Sequence, residues 1–283
     1  MSYLGRFDEA ETVLEKGRLN ATAISDFRCL AVVELYYGHM FWAKGAWERA
    51  REHYKICFKH SEEMKWPMLL SIAWSGLGLV SSFLGDHVAA GKNAERGIKI
   101  LIDAGIEWWL PLGYVFLSAV RFNSGDLEEA RRLTEKALQL SKSNNEKWSE
   151  GQSLIWLGRI LGRRDPSRRD EAKEDVLRGI KILEKLKSKP FSTLGLLFLG
   201  ECYLDMGEKE KAVETLKKAE SMFQEMDMDY WLGRTYAVYA DMYKNAGDHS
   251  KANENLNKAI QIMNECGADG LVEKYEKELA ALS

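Results

Sequence analysis

Cysteine, proline and a surplus of positive charge are what this sequence of 283 residues has least of. Cys29, Cys57, Cys202 and Cys266 lie far apart with no C-x-x-C pair, which excludes a disulfide framework and fits reduced thiols in a cytoplasmic protein. Only four prolines occur, with no Ser/Gly-rich linker and no low-complexity block. The net charge of -3 removes the basic excess on which nucleic-acid binding depends. No basic stretch followed by an apolar one opens the chain, so no secretory signal is visible. The most apolar run, Leu69 to Gly85, is broken by serines and glycines and does not read as a membrane span. What remains is a composition of 46% hydrophobic and 29% charged residues, that of an all-helical protein.

Catalytic groupings are missing as well. There is no G-x-x-x-x-G-K-[ST] phosphate loop and no G-x-S-x-G nucleophile elbow. Gly76 and Gly78 fall inside a predicted helix with no strand before it, so they form no dinucleotide loop. His53, Cys57 and His60 stand at i, i+4 and i+7, a spacing that suits metal ligation. Cys57, however, takes the small inward position that Ala137, Ala219 and Ala259 hold elsewhere. Neither a metal site nor a cofactor is expected, and no enzyme activity. The arginines of "GRRDPSRR" (Arg163, Arg164, Arg168, Arg169), diluted by Asp165 and Asp170, read as a solvated loop rather than an anion grip.

What the sequence does have is a ruler. Gly5, Gly45, Gly85, Gly125, Gly207 and Gly247 are spaced 40, 40, 40, 82 and 40 apart. Ala10, Ala50, Ala90, Ala130, Ala172, Ala212 and Ala252 follow the same period, with one step of 42. A fixed period of this kind marks a repeat array. Each unit has room for two helices of roughly 17 residues joined by a short turn. Glycine suits the turn because it enters the left-handed region without a side-chain clash. Pro67, Pro111 and Pro190 fall where new first helices begin, the position that tolerates proline.

The units carry a recognisable pattern: Trp74-x2-Leu77-Gly78 then Ala90, Leu199-Gly200-x2-Tyr203 then Ala212, and Tyr239-Ala240-x2-Tyr243 then Ala252. It resembles the tetratricopeptide repeat, although the period is 40 and the closing proline is absent. Long repeats of this kind are similar to those of the maltose-regulon activator and related signal-transduction ATPases. They are similar also to the C-terminal arrays of bacterial class III nucleotide cyclases, through the phrase Ala219 to Thr235. The resemblance implies an all-α, right-handed solenoid forming a single domain over 1–283. An orphan half-repeat fills 1–20, six hairpins span about 23–266, and a capping helix closes 269–283. The first half of the opening unit is missing, so the chain is expected to be the C-terminal part of a larger signalling protein. The unpaired N-terminal helix is then a route to self-association.

In this architecture the first helices line a concave face. The resemblance places Leu35, His39, Trp42, Ser75, Leu79, Phe83, Val115 and Phe122 on its first half. Ile155, Arg159, Arg163, Leu197, Glu201, Asp205, Ala237, Asp241 and Lys244 follow on its second. One half is apolar and the other charged. Large aromatics recurring at each first helix's entrance (Trp66, Trp108, Trp109, Trp148, Phe191, Tyr230, Trp231) read as wedges between repeats. The implied role is a non-catalytic module that binds a protein, a peptide or another domain of its parent chain. The alternative is a small-molecule sensor with its ligand in the aromatic half, and a further possibility is that long helices close the groove there and turn its residues into core.

Overall fold

The computed structural model describes residues 1–282, and every regular element among them is helical. After a 3-10 turn at Ser2–Leu4 comes α1 (Phe7–Ala23). Six hairpins follow: α2 (Phe27–Lys44) with α3 (Trp47–Glu63), α4 (Pro67–Phe83) with α5 (His87–Asp103), and α6 (Leu110–Asn123) with α7 (Leu127–Ser143). The next three are α8 (Lys147–Arg164) with α9 (Arg169–Lys185), α10 (Lys189–Asp205) with α11 (Lys209–Glu225), and α12 (Asp229–Asn245) with α13 (His249–Glu265). A last helix, α14 (Asp269–Ala280), buries Val272 and Tyr275 against the end of the stack.

Local chemistry explains the helix boundaries. Gly45 and Gly207 close α2 and α10 with φ of 82° and 77°, a conformation that penalises any residue bearing a Cβ. Asp26, Asp86, Asp126 and Asp248 cap the helices that follow them, each carboxylate accepting a hydrogen bond from a first-turn backbone N–H. Such a cap contributes roughly 1 kcal/mol. Pro67, Pro111 and Pro190 occupy first turns, where a missing N–H breaks no helical hydrogen bond. A second ruler runs between hairpins: Ser25, Lys65, Gly105, Asn145, Lys187, Asp227 and Gly267 all have positive φ. Five of these seven are not glycine, so the turn glycines visible in the sequence mark only half of the turns.

Within hairpins, small residues let helices approach. A Cβ on Gly78 would lie 2.7 Å from the Ala94 nitrogen and 2.8 Å from the Ala90 carbonyl, and one on Gly158 would lie 2.4 Å from the Ala172 carbonyl. Backbone meets backbone there, with no flexible side chain to yield. The alanines of the 40-residue frame are fully or almost fully buried: Ala50, Ala90, Ala130, Ala172, Ala212 and Ala252 are all at 0% exposure.

The stack then winds back on itself. Tyr3 of the opening turn rests on Trp148 and Phe191, with ring centroids 5.5 and 6.2 Å away. Trp47, at the start of α3, stacks on Phe83 at 4.2 Å and meets Tyr230 and Trp231 edge-on at 4.7 and 5.9 Å. Gly45 sits so close that a Cβ there would lie 2.5 Å from the Tyr230 Cβ. One hydrophobic cluster therefore joins α1–α4 to α8–α14 across the superhelix axis. This seam unites residues some 180 positions apart, and it decides what the inner face can bind. Of α1 itself, Phe7, Ala10 and Ala21 are buried against its neighbours, while Val13 and Leu19 are more than half exposed.

Candidate functional site

The inner face divides in two, and only one part is open. In the first half, Leu35, Leu79, Val115 and Phe122 are buried at 2–8% exposure. Trp42 packs on Phe116 and Phe191, both at 5.1 Å, and Phe83 is locked into the seam. His39 stacks over Trp109 and meets Tyr54 edge-on; burial holds its pKa down at about 4, so its ring is neutral. The cavity left among Trp42, Leu79, Val115, Phe191 and Trp231 measures about 30 Å³, room for little more than one water. Leu35, Leu79 and Val115 of the apolar half are thus core, because the seam brings α10 and α12 over them, while His39, Trp42 and Phe83 are half-buried.

Five of the entrance aromatics have seam or inter-repeat partners. Tyr230 and Trp231 face Trp47 and Phe83 across the seam, Trp148 and Phe191 hold Tyr3, and Trp109 lies beneath His39. Trp108, at 52% exposure, lies on the surface instead.

In the second half, an open cleft of about 680 Å³ lies among α8, α10 and α12. Arg163, Arg169, Glu201, Asp205, Lys209 and Asp241 line it, with Asn245 at its end. Its floor is an ion cluster. Arg159 donates from Nε to Glu201 Oε2 at 3.2 Å, while Arg163 and Arg234 each bring an Nη2 to 3.8 Å from Glu201 Oε1. Arg159 is only 6% exposed; burial lowers its pKa to about 10, well above neutrality. Its guanidinium lies over the rings of Phe198 and Phe122 at 3.8 and 4.7 Å, a cation–π arrangement that compensates part of its lost hydration. Burial alone would raise the Glu201 carboxyl, but the Arg159, Arg163 and Arg234 charges together hold it below its usual range. Burial also raises the Asp205 carboxyl.

Of the residues placed on the second half, Arg163, Glu201, Asp205 and Asp241 line this cleft and Arg159 joins it through Glu201, whereas Ile155, Leu197 and Ala237 are buried at 1–8% exposure and Lys244 is exposed outside the lining. Two contributors escaped the sequence reading. Arg234 lies one helical turn before Ala237, on the same stripe extended toward the N-terminus. Arg169 belongs to the arginine-rich loop, which splits in two: Arg164 and Arg168 pair with Glu128 and Glu171 on the surface, while Arg163 and Arg169 face the cleft. His53, Cys57 and His60 do not converge: His53 Nδ1 is 2.6 Å from Glu34, and the Cys57 thiol is buried beside Ser61. Among the described residues no group of three His, Cys, Asp or Glu side chains is placed to hold a metal ion. No helix among them is long and apolar enough to cross a membrane.

Comparison with known proteins agrees with this architecture. The sequence model of the tetratricopeptide repeat matches residues 195–225 and 233–265, the fifth and sixth hairpins. No curated protein matches the chain. Among solved structures, a Rap protein complexed with competence and sporulation factor superposes with a TM-score of 0.64 at 13% identity, covering 92% of this chain and 79% of its own. A signal-transduction ATPase with numerous domains from Pyrococcus horikoshii, which carries a tetratricopeptide repeat sensor, gives 0.60 at 15% identity, covering 94% and 42%. The Cut9–Hcn1 assembly of the anaphase-promoting complex gives 0.60 at 15%, covering 97% and 47%. At these identities the likeness is one of fold. The chain carries tetratricopeptide repeats and has the helical-solenoid architecture of proteins built from them.

Proposed function

We propose that this tetratricopeptide-like chain is a non-catalytic binding module that takes a peptide or protein segment into the cleft among α8, α10 and α12. The observation that carries this reading is the contrast within one inner face: the apolar half is filled by the protein's own side chains, and the charged half stays open. A cleft of about 680 Å³ lined by both basic and acidic side chains suits an extended segment carrying both charges. Complementary charge then sets partner choice and association rate more than raw affinity. A Rap protein of the same fold is complexed with competence and sporulation factor, which supports a regulatory role. The cavity of about 30 Å³ among Trp42, Leu79 and Phe191 gives less room to a small apolar ligand than the charged cleft gives to a peptide.

Peptides selected from a random display library against the wild-type protein test the reading. Binding of the selected peptides, followed by fluorescence polarisation, should fall at least tenfold in the Asp205→Lys/Asp241→Lys variant. That loss corresponds to about 1.4 kcal/mol. Equal binding by both proteins means that the cleft is not the docking site.

A further inference from the structure

Arg163 stands on a wall between two clefts. On one side is the open cleft already described. On the other is a smaller one of about 300 Å³, and the residues around it come from both sides of the seam. Arg159, Arg163 and Arg234 all face it, with Phe83 and Phe122 as its apolar walls and the Tyr230 hydroxyl paired with Arg234.

The charges there do not balance. Three guanidiniums surround the single carboxylate of Glu201, and only Arg159 makes a hydrogen bond to it; the other two approach to 3.8 Å. Each guanidinium carries five N–H donors, while one carboxylate offers about four acceptor sites. Among the described residues the only acidic side chain lining the smaller cleft is Asp269, whereas Asp205 and Asp241 line the larger one with Arg163, Arg169 and Lys209. Cationic groups brought together in a partly buried place are costly unless a counter-charge joins them. Arg163 and Arg234 both line the smaller cleft and stand 3.8 Å from Glu201, beyond hydrogen-bond reach, so the cleft is where that counter-charge belongs.

We infer that the smaller cleft is an anion site, occupied by a phosphate or carboxylate group held between Arg163 and Arg234 with an apolar substituent against Phe83 and Phe122. Guanidiniums favour such groups because they offer paired, parallel donors. The first turn of α14, at Asp269 and Gly270, adds backbone N–H groups and the positive end of a helix dipole at the rim. Because Phe83 belongs to the second hairpin and Arg234 to the sixth, a ligand seated here also fastens the seam. This inference is independent of the peptide reading: the larger cleft can accept a peptide whether or not the smaller one takes an anion.

Isothermal titration with two probes tests it: inorganic pyrophosphate, and N-acetyl-leucyl-glutamate compared with its diamide. The site requires one-to-one binding of pyrophosphate, of the free dipeptide acid, or of both, and no binding of the diamide; which acid binds identifies phosphate or carboxylate as the source. Arg234→Gln should weaken the binding at least tenfold, the loss expected for one charge-assisted hydrogen bond. Arg163→Gln, at a half-exposed side chain, provides the same test should the first variant fail to fold. Hydrogen exchange at Ser82 to Leu84 should slow when the probe is bound. Absence of binding by both acids, or binding unchanged in the glutamine variants, overturns the site; binding without slower exchange overturns the fastening of the seam.

Discussion

The helices α2, α4 and α6 and the helices α8, α10 and α12 are equivalent pieces of one repeat, yet their inner faces meet opposite fates. The first set presents Leu35, Leu79 and Val115, and these are buried at 2–5% exposure. The second buries Ile155, Leu197 and Ala237 just as deeply, at 1–8% exposure, but also presents Arg163, Asp205 and Asp241, which line an open cleft. The difference is not made within either set. It arises where the winding stack returns and lays Tyr230 and Trp231 on Trp47 and Phe83. A solenoid is often treated as a one-dimensional stack whose repeats touch only their neighbours. Here a contact between distant repeats buries part of the inner face and leaves the other part open.

Removing a side chain from the closed half sharpens the contrast most. Phe116, at 2% exposure between Trp42 and the second cluster, should cost about 3–5 kcal/mol as Phe116→Ala in urea unfolding. A loss below about 1 kcal/mol would mean that this half is loosely filled and still available to a ligand.

Acid should attack the two halves in different windows. His39 is neutral in the fold because burial lowers its pKa to about 4 from 6.5. The unfolded chain takes up that proton first, so the His39 contribution is complete above pH 6.5 and fades as pH falls toward 4. The expected loss is on the order of 3 kcal/mol. Glu201 behaves differently: its carboxyl is held below 4.5 by the three guanidiniums despite its burial, so its contribution is lost only below that pH. Unfolding free energies measured from pH 7 to 4 should therefore slope downward in the wild type and flatten in His39→Leu. A wild-type profile that is flat over that range contradicts the burial of His39.

The smallest effect on stability is expected in the open half. Asp241→Ala removes an exposed carboxylate and should change unfolding free energy by no more than about 0.5 kcal/mol, while peptide binding in the cleft weakens. A large destabilisation instead would make Asp241 part of the scaffold rather than of a binding surface.

Much of this molecule was legible in its sequence, and for a definable reason. The spacing of Gly45, Gly85 and Gly125, with Ala50, Ala90 and Ala130 five residues on, reports local geometry: a left-handed turn, then a small residue where two helices cross. Every unit repeats that requirement, so the period is visible. The turns between hairpins hid themselves because Ser25, Lys65 and Asp227 accept positive φ without glycine. The seam was harder still, since it depends on rotation accumulated over five repeats, which no single unit encodes. One signal was present. Two residues after the turn glycine the chain has Phe7, Trp47 and Leu127, but His87, Lys209 and His249 in the other units, and of the apolar three only Phe7 and Trp47 are aromatic. Phe7 and Trp47 are buried at 4% and 0%, whereas Leu127 is only partly buried, so an aromatic at this position marked the end that is covered. The charged cluster was half legible: Arg159, Arg163 and Glu201 fell on the expected stripe, while Arg234 lay one turn beyond it.

The return of the stack onto itself is the claim on which the rest depends, and a double-mutant cycle between Phe83 and Trp231 tests it directly. Their ring centroids are 5.8 Å apart, edge to face, although nearly 150 residues separate them. Unfolding free energies of Phe83→Leu, Trp231→Leu and the double variant should yield a coupling of about 0.5–1.5 kcal/mol. Strictly additive effects would contradict the seam, and with it the division of the inner face into a closed half and an open one.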